Sequence, residues 1–246
     1  MYEIVTNVSV LIPLVLVAAA ISFTLSSAAG LGGSLILVPA LAALLGTKEG
    51  VALAALLLGL NNVWKVIAYR KTLPLKKAFI LVVATVVGAL IGAYALINVD
   101  ESYVSIAVLG SFGIAFIFER GKFVKAQTLG AAPILALGAG ATSGFSGTAG
   151  PLKGLAIRSL RFDRLHLVGA ASLVSLANDA AKSAVFLEGS LVSDRSFLML
   201  ALAAPIMPFA TFLGKYVNRQ IGERLFTILF WAVMLGYAAR IIFTLV

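Results

Sequence analysis

Long apolar runs separated by short polar loops dominate the pattern along the chain. They cover residues 8–28, 30–46, 50–69, 77–98, 102–119, 127–143, 150–158, 165–187, 196–218 and 224–245. Runs of this length and apolarity predict membrane-spanning helices. Two junctions are glycine-rich rather than charged. One is Gly30-Leu31-Gly32-Gly33-Ser34, and the other is Gly147-Thr148-Ala149-Gly150-Pro151. The second is cramped, because only 27 residues separate Lys125 from Lys153. That is about 40 Å of helix at 1.5 Å per residue, too little for two crossings of a ~30 Å core. The segments flanking each glycine run are therefore expected to form a hairpin or broken helix with its tip inside the membrane. The other six are expected to be ordinary spanning helices.

The two glycine runs lie 117 residues apart, and the same offset carries Asn61 onto Asn178 and Lys65 onto Lys182. This predicts two repeats in one all-α membrane domain. Residues 1–125 hold a broken helix or hairpin at 8–46 and helices 50–69, 77–98 and 102–119. Residues 126–246 hold a hairpin at 127–158 and helices 165–187, 196–218 and 224–245. Matched breaks in two halves of a membrane chain point to a transporter substrate site. Unwound backbone at membrane depth is tolerated only when buried or lining a cavity.

Charge orients the helices. Thirteen of the 19 basic residues fall in the loops at 69–78, 119–126, 158–166 and 215–224. The alternate connections carry Asp100 and Glu101, then Glu188, Asp194 and Arg195. The basic set is expected on the cytoplasmic side, which puts both termini outside. Helix 50–69 then ends inside and its partner 165–187 ends outside, so the repeats are inverted. The N-terminus has an acid and no basic n-region, unlike a cleaved signal peptide.

Composition agrees. Of 246 residues, 61% are hydrophobic and only 12% charged, and mean hydropathy is +1.07. The absence of cysteine excludes disulfides and thiol chemistry. The net charge of +9 is accounted for by the cytoplasmic loops rather than by nucleic acid.

Polar residues embedded in apolar sequence mark the candidate site. Asn61, Asn62 and Lys65 lie in one segment, and Asn178, Asp179 and Lys182 lie in its partner. The i, i+4 spacing puts Asn61 with Lys65 on one face, and Asn178 with Lys182. Intramembrane ionisable residues are costly and mark function by default. Each lysine is also about one turn from a helix end, where it can snorkel, and the asparagines also suit interhelical packing. The glycine tips offer backbone N–H groups and a helix N-terminus to an anion. The tip residues are Gly30, Gly32, Gly33 and Ser34, then Ser143, Gly144, Ser146, Gly147, Thr148 and Gly150. No acidic cluster accompanies them, so a small anion fits better than a metal cation. Asp179 is expected to pair with Lys182 or to carry a proton. No cofactor is expected.

Gly30-x-Gly-Gly-Ser followed by Pro39, the helix from Gly50 to Tyr69 with its Asn and Lys, and their repetition at Gly144–Pro151 and Gly169–Phe186 resemble the TauE/SafE family of bacterial sulfite and organosulfonate exporters. The resemblance spans essentially the whole chain as two copies. It implies export of a small sulfur-containing anion (sulfite, sulfoacetate or a related organosulfonate) across the bacterial cytoplasmic membrane. An anion channel using the same site stays open. Gly144-Phe145-Ser146-Gly147 also matches the GxSG motif of rhomboid proteases, with Ser146 as nucleophile. Such an enzyme needs a nearby histidine, and the single histidine, His166, falls in a predicted cytoplasmic loop, so no enzyme is expected. Pro205 and Pro208 are expected to kink segment 196–218. Gly88 and Gly92 form a GxxxG for close helix packing, inside the protomer or between protomers of a homodimer.

Overall fold

The computed structural model describes residues 8–29, 33–120 and 129–217. Gly30, Gly32, the segment 224–245 and both chain termini lie outside the described residues. The described chain is an all-α bundle. Its helices are α1 (Val8–Ala29), α2 (Gly33–Leu45), α3 (Thr47–Ala68), α4 (Leu75–Asn98), α5 (Glu101–Arg120), α6 (Ala132–Ser146), α7 (Gly150–Arg158), α8 (Arg164–Glu188), α9 (Asp194–Ala203) and α10 (Ile206–Val217). Each apolar run outside the undescribed segment became helix, and 196–218 became two.

Among the described residues, three helices are long and apolar enough to cross a membrane: Ser9–Ala28, Thr47–Ala68 and Leu75–Asn98. Counting α9 and α10 as one broken span, bent by 49°, raises the number to four. The bend falls at Ala204-Pro205, where proline lacks the N–H that would continue the ladder, so the expected kink is real. α6 and α7 have 15 and 9 residues, or about 22 and 14 Å. Neither is long enough to cross a ~30 Å core alone. α1, by contrast, has the length of a full span, so the two glycine-flanked pairs differ in reach.

Glycine sets the closest helix contact. Gly88 and Gly92 of α4 meet Gly140 and Gly144 of α6. A Cβ at Gly88 would stand 2.1 Å from the Leu137 carbonyl oxygen, and one at Gly140 would stand 2.1 Å from that of Thr85. The GxxxG of α4 thus serves a contact inside the chain, against a matching GxxxG on α6.

The bundle has two chemically distinct ends. At one, a Glu101 carboxylate oxygen accepts from the Thr47 amide and caps α3. Glu49 there accepts from the Ser193 hydroxyl and, at 2.7 Å, from Ser196. Lys48 reaches the Ile97 carbonyl at 3.2 Å. Asp100, Glu188 and Asp194 are exposed at the same end, with Arg195 beside them. At the other end the backbone of Gly169 packs on Thr72, and Lys215 donates to the Ala68 carbonyl at 2.7 Å. There Arg70, Lys71, Lys76, Lys77, Arg158 and Arg161 are exposed. α3 runs from the acidic end to the basic end. α8 runs the opposite way and packs beside it.

The walls facing outward are apolar. Phe79, Ile91, Ile134 and Phe209 are exposed, Phe209 by 78%. Such faces suit contact with lipid tails. The core holds Phe23, Leu37, Leu41, Leu53 and Leu57 from α1, α2 and α3, all fully buried.

Candidate functional site

The break between α6 and α7 follows from its sequence. α6 ends at Gly147, whose φ of 79° is left-handed, a conformation that favours glycine. A Cβ there would also stand 2.9 Å from Val38. Pro151 then opens α7, where a missing N–H costs nothing. The first tip enters α2 at Gly33, whose carbonyl accepts from Ser22 at 2.7 Å. The tips touch, since the hydroxyls of Ser34 and Thr148 share a 3.0 Å hydrogen bond.

The polar residues of α3 and α8 converge behind the tips. Lys65 and Lys182 are each 1% exposed, although both are lysines in mid-bundle. Both ammoniums are withdrawn from the surface, whereas a snorkelling side chain keeps its ammonium in water. Lys65 donates to Ser26 at 3.0 Å, and Lys182 donates to Ser143 at 3.0 Å. Each lysine lies 39 residues beyond its serine, so the two contacts match at the repeat offset. Lys182 also donates to the Gly147 carbonyl at 3.3 Å and pairs with Asp179 at 2.9 Å. An ammonium has three donors, and all three of Lys182 are engaged. Asp179 bridges the halves: its second oxygen accepts from Asn62 of α3 at 2.8 Å. Asn178 donates to Ser143 at 2.9 Å and to Asp179 at 3.1 Å. Asn61 accepts from Thr211 of α10 at 2.9 Å, while its buried amide nitrogen has no hydrogen-bond partner among the described residues.

A small cavity lies where these groups meet the tips. It is lined by Ser26, Gly33, Ser34, Leu58, Asn62, Ser143, Gly147, Lys153, Ser175 and Asp179. It offers about 20 Å³ to the centre of a water-sized molecule, room for one or two waters. Lys65 and Lys182 stand one layer behind, reaching the cavity through Ser26 and Ser143. This arrangement fixes the polarity of the lining. Ser143 accepts from both Lys182 and Asn178, which fills its two lone pairs. Its O–H is left to donate, and the cavity it lines is where a receiving atom would sit.

The sequence-derived residues divide by position. Gly33, Ser34, Asn62, Ser143, Gly147 and Asp179 line the cavity. Asn178, Lys65 and Lys182 hold the lining. Thr148 ties the tips together, and Gly150 begins α7. Asn61 lies toward α10. Gly144 belongs to the α4–α6 contact, and the Ser146 hydroxyl is turned back onto the Thr142 carbonyl at 2.8 Å. His166 is half-buried at the start of α8, where its ring nitrogen lies 2.6 Å from Asp163. Asp163 caps α8, accepting from the amides of Leu165 and His166 at 3.0 Å each. The His166 amide and ring, and then the Leu165 amide, hold its carboxyl below the usual carboxylate range.

Sequence reasoning missed four lining residues. Ser26 was accessible to it, because the repeat offset carries Ser26 onto Ser143. Lys153, Ser175 and Leu58 were not. The same offset carries Ile36 onto Lys153 and Leu58 onto Ser175, so no repetition flagged them.

Comparison with known families agrees with this architecture. No curated protein and no solved structure matches the chain. The family model described as sulfite exporter TauE/SafE matches residues 14–241. A transporter family leaves no place for Ser146 as a protease nucleophile. Its match covers both glycine breaks and all the polar helix residues around the cavity, so this chain, an integral helical membrane protein, belongs to the TauE/SafE sulfite exporter family.

Proposed function

We propose that the protein exports a small sulfur-containing anion, such as sulfite, sulfoacetate or a related organosulfonate, by alternating access. In this reading residues 1–125 and 126–246 are inverted repeats, with six spanning helices and two tips, in a bacterial cytoplasmic membrane. The basic end faces the cytoplasm, as the distribution of Lys and Arg favours. The opposite course of α3 and α8 supports the inversion.

The observation that carries the reading is the matched pair of serines. Ser26 and Ser143 each take an ammonium N–H from a buried lysine and line one cavity. Hydroxyls so polarised are donors for an oxyanion, and charge-assisted hydrogen bonds are the strong ones. The lysines supply positive potential from behind, where low dielectric strengthens it. Asp179 offsets one of them and ties Asn62 to Asn178 across the halves. Rocking of the halves would break the Asn62–Asp179 and Ser34–Thr148 contacts, both of which cross between the repeats. An inside-negative potential drives an anion outward by about 2.3 kcal/mol per charge per 100 mV, so export needs no coupling ion.

Flux from proteoliposomes loaded with sulfite or sulfoacetate tests the proposal. Saturable efflux, accelerated by the same anion outside, is the expected result. Flux that rises linearly without trans-stimulation would make it a channel, and no flux of any sulfur anion would remove the reading.

A further inference from the structure

We propose that Lys153, held by Ser175, is a one-sided anion ligand that makes the cavity bind more tightly from the basic end than from the acidic end. The inference rests on the transport reading above and adds direction to it. At the cavity the two halves match in Ser26 with Ser143 and in Lys65 with Lys182, and they differ at four positions. Asn62 stands where repeat 2 has Asp179, Ser34 stands where it has Pro151, and the other two differences add a cation and its holder to one wall. Repeat 2 has Lys153 and Ser175, whereas repeat 1 has Ile36 and Leu58.

The side chains confirm that the difference is a chemical one. Lys153 lines the cavity and donates to Ser175 at 2.8 Å. Among the described residues its ammonium forms no salt bridge. Lys182, by contrast, has Asp179 at 2.9 Å. Ile36 is 2% exposed and packed in the core, and Leu58 gives the cavity an apolar wall.

Helix direction places these walls. Ser175 precedes Asn178 on α8, which runs away from the basic end. It is therefore about 4.5 Å nearer that end than Asn178. Lys153 lies on α7 between the tip and Arg158, again on the basic side. Leu58 precedes Asn61 on α3, which starts at the acidic end, so the apolar wall faces that way. An anion arriving from the basic end meets an ammonium that it can pair with. One arriving from the acidic end meets hydrocarbon. A contact made in one access state and not the other gives different affinities from the two faces.

The test is sided uptake of radiolabelled sulfite, and separately of sulfoacetate, by proteoliposomes of known protein orientation at zero membrane potential. The wild type should half-saturate at lower concentration from the basic end. Lys153→Ile, which copies the residue at the matching position, should raise that value about tenfold or more. It should change the acidic-side value less than about twofold, within the error of such effects. Lys153→Arg should restore most of the asymmetry, which also shows that the position tolerates change. Equal half-saturation from both faces in the wild type overturns the inference, as does Lys153→Ile indistinguishable from wild type. Either outcome leaves transport intact, whereas absence of uptake by the wild type overturns both.

Discussion

Single side chains at this site have few substitutes, because Ser143, Asp179 and Lys182 each hold more than one partner. Ser143 receives both Asn178 and Lys182. Ser143→Ala leaves one N–H of each donor buried without an acceptor, and each such loss costs about 1–3 kcal/mol. The purified variant should therefore melt earlier as well as transport poorly, whereas Ser143→Thr keeps the hydroxyl and should retain most of both. Asp179→Ala is more severe. It removes the carboxylate beside a lysine that is 1% exposed, and breaking a buried pair costs about 3–5 kcal/mol. A double variant, Asp179→Ala with Lys182→Met, removes both charges and should recover stability without recovering transport. A double variant no more stable than Asp179→Ala in thermal or denaturant unfolding would contradict the ion pair.

The helices carry a second set of expectations. α4 and α6 approach so closely at Gly88, Gly92, Gly140 and Gly144 that any Cβ meets backbone. Backbone cannot move aside as a flexible side chain can. Gly88→Ala should cost at least the 1–3 kcal/mol of ordinary overpacking, and Gly110→Ala, with nothing within 4 Å of its Cβ, should be near neutral. Comparative unfolding of the two variants checks this. At the start of α8, Asp163 works as a cap only while ionised. Its carboxyl titrates below the ordinary range in the fold, so its stabilising contribution is present above about pH 3.9, the unfolded value. That contribution is lost as pH falls through the lowered folded value. Hydrogen exchange at the Leu165 and His166 amides should accelerate over that acidic window in the wild type. In Asp163→Ala it should already be fast at neutral pH.

Much of the molecule was legible from periodicity and charge. Apolar runs gave the helices because a chain in lipid has no other way to satisfy its backbone. The break at Gly147 was legible because only glycine takes its φ of 79° at no cost. The repeat offset pointed to Lys65, Asn178 and Lys182, which stand around the cavity, and to Asn61, which lies toward α10; it would have pointed to Ser26. What it concealed was rank. Sequence placed the lysines in the site, yet in three dimensions they stand behind the serines, because a long side chain on α3 or α8 reaches past the cavity to the tip. It also concealed Lys153, which served only to mark the end of the uncharged stretch after Lys125. Nothing linear distinguishes a lysine at a membrane surface from one whose helix begins at a buried tip. The GxxxG of α6 was overlooked because Gly144 had been assigned to a binding tip and Gly140 stood outside it.

For the molecule entire, the separation of acidic and basic ends predicts orientation. The natural chain has no cysteine, so single cysteines can be introduced without background. Lys71→Cys should be labelled by a membrane-impermeant maleimide only from the cytoplasm, and Asp100→Cys only from outside. Labelling of both from one face would overturn the crossing of α4 and, with it, this orientation.

Whether a small anion occupies the cavity between the tips is decided most directly by ligand-induced thermal stabilisation of the purified protein. The panel is sulfite, sulfoacetate, taurine, sulfate, acetate and chloride. A ligand that binds only the folded state must raise its apparent stability. The expected result is a concentration-dependent shift with sulfite or sulfoacetate, absent with taurine, and lost in Ser26→Ala under conditions where that variant remains folded. No shift with any anion, or one that survives unchanged in Ser26→Ala, would contradict an anion site between the tips.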